Sequence, residues 1–238
     1  MNKYLFSCLL LLIMTGAFAQ QKKVAVVTFY VDKKVDLSAF GLETAADLLK
    51  LEQDPNFNME PPLSHFHQEF FDNYAKNFPF ALVPETEVTG NPAYQALAIE
   101  DEPYANKEVR YAATPGYKVI DYNWGTKNEK NLLALFKQYD GIMFVYLSFK
   151  MEKGFAINGN GTTKMRAYTH IVLLNRDDQK VFNINESATS KTTGVVVGNL
   201  PIMKPEKILP MCESALAELM EDLQKRIPKL IKKADAKL

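Results

Sequence analysis

Residues 22–31 read KKVAVVTFYV, a stretch that is apolar at nearly every position after its two lysines and rich in β-branched and aromatic side chains. This run constrains the fold more than any other. Successive side chains of a strand point to opposite faces, so a strand that is apolar on both must be covered on both. Such a strand belongs in the middle of an α/β sheet.

The rest of the chain supplies the layers. Leu42, Ala45, Ala46 and Leu49 fall at helical spacing, and the Pro- and Asn-rich stretch 54–62 then breaks the pattern. Ser64 can cap a second helix with the stripe Phe66, Phe70, Tyr74 and Phe78. Residues 80–88, FALVPETEV, read as a short strand ending near Pro84. Thr126 and Glu129 form a capping box that opens a helix carrying Leu132, Leu133, Phe136 and Tyr139.

Asp140-Gly141 leads into IMFVYLSFKME, continuous at first and then alternating: Leu147, Phe149 and Met151 against Ser148, Lys150 and Glu152. Residues 154–163 read as a flexible hairpin connection. Residues 164–175 alternate again, 176–179 are a turn, and 181–192 form a further strand, so three sequential antiparallel strands end the sheet. Residues 205–238 are an amphipathic helix with Ile208, Cys212, Leu216, Leu219, Leu223 and Ile227 on one face, which Pro228 should kink or end. The expected fold is α/β with an α+β tendency. It has a single mixed sheet of about five strands, flanking helices and a long C-terminal amphipathic helix.

Residues 1–19 read as a targeting segment. Lys3 is the positive end, 5–14 the apolar stretch, and Ala17-Phe18-Ala19 a small-x-small cleavage site. The apolar stretch falls short of the ~20 residues that span a bilayer. The expectation is a cleaved signal peptide, a periplasmic or secreted protein, and no transmembrane segment in the mature chain. Cys8 sits too early to serve as a lipid-attachment cysteine. Residues 20–238 form one domain with an aromatic-rich insertion at 89–127. Cys212 would be its only cysteine, so no internal disulfide is expected, and its helical neighbours place it as a small buried residue. Lys3 leaves with the signal peptide, so 27 basic side chains face 28 acidic ones. That balance gives no footprint for nucleic acid.

Several of these stretches resemble the periplasmic α/β domain shared by the curli-secretion-channel family and the N-terminal domain of the Tol-system propeller protein. The first strand of that family reads as a basic residue followed by a Val-Ala-Val run ending in Phe, and residues 23–29 match. Its second strand reads Phe, two residues, Val, then Pro or an acidic residue, to which 80–85 are similar. Its third follows a turn like Asp140-Gly141. The similarity covers roughly 22–88 and 128–230. Residues 89–127 are extra, and no pair of long alternating strands for a membrane barrel is present. The resemblance implies an envelope-located, non-catalytic domain that acts through contacts.

Motifs for chemistry are sparse. His65, His67 and Glu69 suggest a metal site, but residues two apart point about 200° from one another on a helix. Only His65 and Glu69 could share a face, and the ligand set is incomplete. The glycine-rich stretch 154–161 lacks the Gly-Lys-Ser/Thr ending of a phosphate loop and joins two strands. Nothing calls for a cofactor. His170 alternates with Arg166 and Tyr168 along one strand face, which reads as an open polar face or a ligand-binding one. The basic residues near the C-terminus, Lys225 to Lys237, read as a solvated helix end.

The insertion holds the single Trp, Trp124, and five of the eleven Tyr: Tyr94, Tyr104, Tyr111, Tyr117 and Tyr122. Long loops inside compact domains tend to be functional, and Tyr and Trp favour recognition surfaces. The same rings could equally pack the insertion onto the domain. The expected function is an exported, non-enzymatic binding or interaction module of the bacterial envelope. It would contact an envelope protein or polymer through these rings and Tyr168 and His170 of the adjoining sheet. The alternative is a hydrolase of envelope or extracellular polymers, using His170 and acids such as Glu100, Asp101 and Glu102.

Overall fold

The computed structural model describes residues 21–41, 51, 54–99, 107–122, 126–232, 234 and 237–238. The stretch 1–19, expected to be a signal segment, and most of the helix expected at 42–51 lie outside them. The architecture is mixed α/β. A sheet of seven strands runs in the order β2 (Ala81–Leu82), β1 (Lys23–Asp36), β4 (Gly141–Ile157), β5 (Asn160–Asn175), β6 (Lys180–Val197) and β7 (Leu200–Pro201), with β3 (Tyr111–Ala113) pairing the outer edge of β1.

β1 is Lys23–Asp36, and Val24 to Val31 are all buried, as its composition requires. It pairs in parallel with β4, Gly141–Ile157. β4 leads into β5, Asn160–Asn175, and β6, Lys180–Val197, both antiparallel to their predecessors. The predicted antiparallel meander is therefore present.

Two strands more than expected complete the sheet, because its edges carry pieces of two or three residues. β2 (Ala81–Leu82) and β3 (Tyr111–Ala113) share the outer edge of β1, and β7 (Leu200–Pro201) flanks β6. Such pieces are too short to leave a periodicity.

Several boundaries differ from expectation: β1 runs on past Val31 to Asp36, and β6 past Thr192 to Val197. The strand predicted over 80–88 ends at Leu82, and Pro84 instead precedes helix α2, Glu85–Thr89. Helix α1, Glu60–Glu69, begins before Ser64, with proline in its first turn, where a missing N–H costs nothing. A π-helical turn (Phe70–Tyr74) and a 3₁₀ turn (Ala75–Asn77) continue α1. They keep Phe66, Phe70, Tyr74 and Phe78 buried together. The connection expected at 154–163 is mostly strand: only Asn158-Gly159 turn, both at positive φ (49° and 77°), the geometry of a tight two-residue hairpin. The C-terminal helix ends at Leu230, two residues past Pro228.

Two short helices, α3 (Pro92–Ala96) and α4 (Lys107–Arg110), punctuate the insertion. Helix α5, Lys127–Leu135, starts where the capping box predicts, although Thr126 makes no side-chain cap. Helix α6, Pro205–Leu230, lays Ile208, Cys212, Leu216, Leu219, Leu223 and Ile227 on β5 and β6.

Paired residues share a face, so register sorts the sheet into two sides. Phe29, Val145, Ile171 and Ile184 lie on one side, which α1 and α6 cover. Phe29 is the centre of that layer, its ring 5.6 Å from Phe66 and 5.5 Å from Phe70. The other side carries Tyr30, Tyr146, His170 and Asn185. Among the described residues, the insertion covers part of this second side. Thr28 donates to the Lys118 carbonyl at 2.7 Å, and Tyr122 lies against Phe144.

Candidate functional site

Among the described residues, the second side of the sheet is open beyond the insertion, toward Tyr168 and His170. A row of rings crosses this side, with Tyr30 and Tyr111 buried and Tyr146 and His170 half-buried. Tyr111 of β3 meets Tyr30 of β1 edge-on at 5.3 Å; Tyr30 stacks on Tyr146 of β4 at 5.3 Å; Tyr146 stacks on His170 of β5 at 4.4 Å. His170 Nδ1 lies 2.8 Å from Asn185 Oδ1 on β6. With that amide as placed, Nδ1 donates and Nε2 is the free acceptor of the neutral ring.

Alternation at the end of β1, VDKKVD, sends Asp32, Lys34 and Asp36 toward the same region. The β1–β4 register slips between Val31 and Val35, where β1 carries two residues more than β4, so these side chains fan over the strand ends. Arg110, at the end of α4, grips Asp32 through Nε at 3.0 and 3.1 Å and through a second guanidinium nitrogen. Its guanidinium also lies 4.9 Å from the Tyr111 ring centre. Lys150 lies 3.2 Å from Asp36 and donates to Ser38 Oγ at 2.9 Å. Together with Ser148, Phe149 and Leu37, these residues border a groove of about 550 Å³ whose far wall is Tyr168 and His170.

The groove's electrostatics follow from burial and pairing. Burial pushes the His170 imidazole below its ordinary value, outweighing the Asn185 hydrogen bond and the charge of Asp121, so the ring is neutral at pH 7. Burial raises the Tyr146 hydroxyl to about 12 and pushes the Tyr30 hydroxyl well above its ordinary value. For Asp36, burial acts upward, but hydrogen bonds from Ser38 and Lys150 overcome it and hold the carboxyl below its usual value.

The eight residues expected to bind separate into distinct groups. Tyr168 and His170 line the groove. Tyr111 is buried beneath Arg110 and supports its rim. Tyr94 is fully buried; its hydroxyl donates to the Val27 carbonyl at 2.8 Å and accepts from Lys118 N at 2.8 Å. Tyr117 is buried and donates to Glu85 at 3.0 Å. Tyr122 is half-buried against Phe144, with Lys180 above its ring. The rings of Tyr94 and Tyr117 thus present no face to a macromolecule. Tyr104, Trp124 and the acids Glu100, Asp101 and Glu102 lie outside the described residues.

His67 pairs with Glu85 at 2.6 Å, and Glu69 accepts from Asn73, so the sequence neighbours His65, His67 and Glu69 do not converge. Among the described residues no group of three metal-ligating side chains gathers. Cys212 is buried, and burial pushes its thiol well above the usual value.

Arg110, Asp32, Asp36 and Lys150 were not singled out from sequence. The alternation of 30–36 held a signal for Asp32 and Asp36. Nothing local marked Arg110, whose role depends on the insertion returning to β1. No protein-family model matches the chain, and no curated protein matches it. Among the described residues no helix is long and apolar enough to cross a membrane.

Proposed function

We propose that the protein is an exported, non-enzymatic binding module of the bacterial cell envelope, and that the groove on the open sheet face receives its partner. One observation carries this reading. Tyr168 and His170 of the sheet and Arg110 of the insertion, far apart in sequence, border a single groove of about 550 Å³. The signal-like N-terminus supports export. The similarity to the periplasmic α/β domain supports a role through contacts.

The groove's chemistry limits what suits it. Arg110 and Lys150 already face Asp32 and Asp36, so recognition rests less on net charge than on the Tyr168 ring, the Ser148 hydroxyl and the free His170 Nε2. An extended segment of an envelope protein or polymer, polar and with a flat apolar face, fits that set. The test is in-cell crosslinking of the wild type against Tyr168→Ala and His170→Ala. Both variants should lose the crosslinked partner while remaining folded; unchanged capture by both would remove the groove from consideration.

A hydrolase of envelope polymers is the alternative. It is supported by the neutral His170 imidazole beside the groove, within the field of Asp121. The ion pairs of Asp32 and Asp36 disfavour either as a general acid. Turnover of envelope polymers that His170→Gln abolishes would select this reading.

A further inference from the structure

We propose that the far end of the β4–β5 hairpin, with β7 beside it, is a docking tip for an anionic phospholipid surface. This site is separate from the groove. The two paired stretches 154–163 and 194–203 contain no charged side chain. They hold most of the large exposed apolar residues among the described part of the chain. Phe155 is 73% exposed, Ile157 and Ile202 60%, Val195 55%, and Val197 and Leu200 47%.

Register places these residues together. Ile157 opposes Asn160, Thr162 opposes Val195, and Val197 opposes Leu200, so Ile157, Val195, Val197 and Leu200 share one face. Ile202 donates its N–H to the Val195 carbonyl and continues that row. The opposite face is not free, since Val196 and Pro201 are buried. The exposed apolar side is the same side of β5 that carries Tyr168 and His170, some six to ten residues away. Exposed, contiguous apolar side chains of this kind mark an interaction surface.

The surrounding charge selects the occupant. Where the uncharged stretches end, Lys153, Lys164, Lys204 and Lys207 begin. Lys153 lies over the Phe40 ring, while Lys164, Lys204 and Lys207 are exposed. Among the described residues, the acidic ones at this level are Glu152, held by Arg166, and Glu206. An apolar tip above a lysine collar matches the acyl boundary and the anionic headgroups of a bilayer. A second copy fits less well, because face-to-face tips would bring two lysine collars together.

The test is co-sedimentation of the full chain with phosphatidylcholine vesicles, with and without phosphatidylglycerol. Any contribution of the apolar N-terminal stretch is common to every sample. Wild type should pellet with the phosphatidylglycerol vesicles and release as salt rises. A variant combining Phe155→Ser, Ile157→Ser, Val197→Ser and Ile202→Ser should lower partitioning by roughly tenfold or more. Lys164→Gln with Lys204→Gln and Lys207→Gln should lower it by roughly tenfold on the anionic vesicles alone. Circular dichroism checks folding, and the single variant Phe155→Ser replaces the fourfold one if that misfolds. Wild type remaining in solution, or a serine variant pelleting like wild type, would overturn the proposal. So would a wild-type dimer in sedimentation velocity that the serine variant abolishes while vesicles are ignored, which assigns the face to a second copy.

Discussion

Arg110→Met would remove the guanidinium that ties the insertion to the end of β1. The Arg110 and Asp32 side chains are only 17% and 16% exposed, so their pair is largely withdrawn from water. Exposed pairs contribute ~0–1 kcal/mol, and breaking a buried one costs ~3–5 kcal/mol. A mostly buried, bidentate pair should fall between, at about 2 kcal/mol. Loss of the cation–π contact to Tyr111 adds about 0.5–1 kcal/mol, so the single variant should be destabilised by about 3 kcal/mol. Met keeps most of the stem over the ring. Part of the cost is the Asp32 carboxylate left behind with the Lys34 N–H as a remaining partner. Asp32→Asn in the Arg110→Met background should therefore recover about 1–2 kcal/mol. The assay is chemical denaturation of the four members of the double-mutant cycle. The reasoning fails if the two substitutions add to within about 0.5 kcal/mol, the behaviour of independent sites.

Tyr94→Phe deletes a hydroxyl that serves two backbone groups, the buried Val27 O and the part-buried Lys118 N, and should cost about 2 kcal/mol, with faster hydrogen exchange at Lys118. Exchange unchanged at that amide would show the bridge to be dispensable. Cys212 should resist iodoacetamide in the native protein and react once denaturant unfolds it, because its thiol is buried and hard to ionise; labelling without denaturant would contradict its placement. His170 has a folded pKa below its unfolded value of about 6.5, so the unfolded chain binds more protons and stability falls as pH drops below that value, levelling once both states are charged. His170→Gln should flatten this part of the stability profile, measured by thermal melts. Asp36 acts in the same direction at lower pH: its depressed carboxyl stabilises the fold above the unfolded value of about 3.8, and this is lost as pH falls through the lower folded value.

The elements that were legible in the sequence are those with a long local period. The stripe Phe66, Phe70, Tyr74 and Phe78 is buried as its spacing implies, even though π and 3₁₀ turns replace regular helix beyond Glu69. Periodicity reports which side chains face inward; it is less sensitive to the exact helical pitch. Tyr168 and His170 were legible as one face of β5 for the same reason. The burial of Tyr94 and Tyr117 was not legible, because composition records that a ring is present and not what lies above it.

What the amino-acid sequence determined by itself was therefore the order of the main elements: a doubly covered first strand, a late antiparallel meander and an amphipathic C-terminal helix. These follow from hydrophobic periodicity within single segments. Tertiary structure alone decided the sheet's edges, the packing of the insertion and the groove. Tyr30, Tyr146 and His170 stack only because β1 pairs with β4 across more than a hundred residues of intervening chain. Arg110 reaches Asp32 only because β3 returns to the edge of β1. Such contacts depend on the register of distant strands, and no local period encodes it.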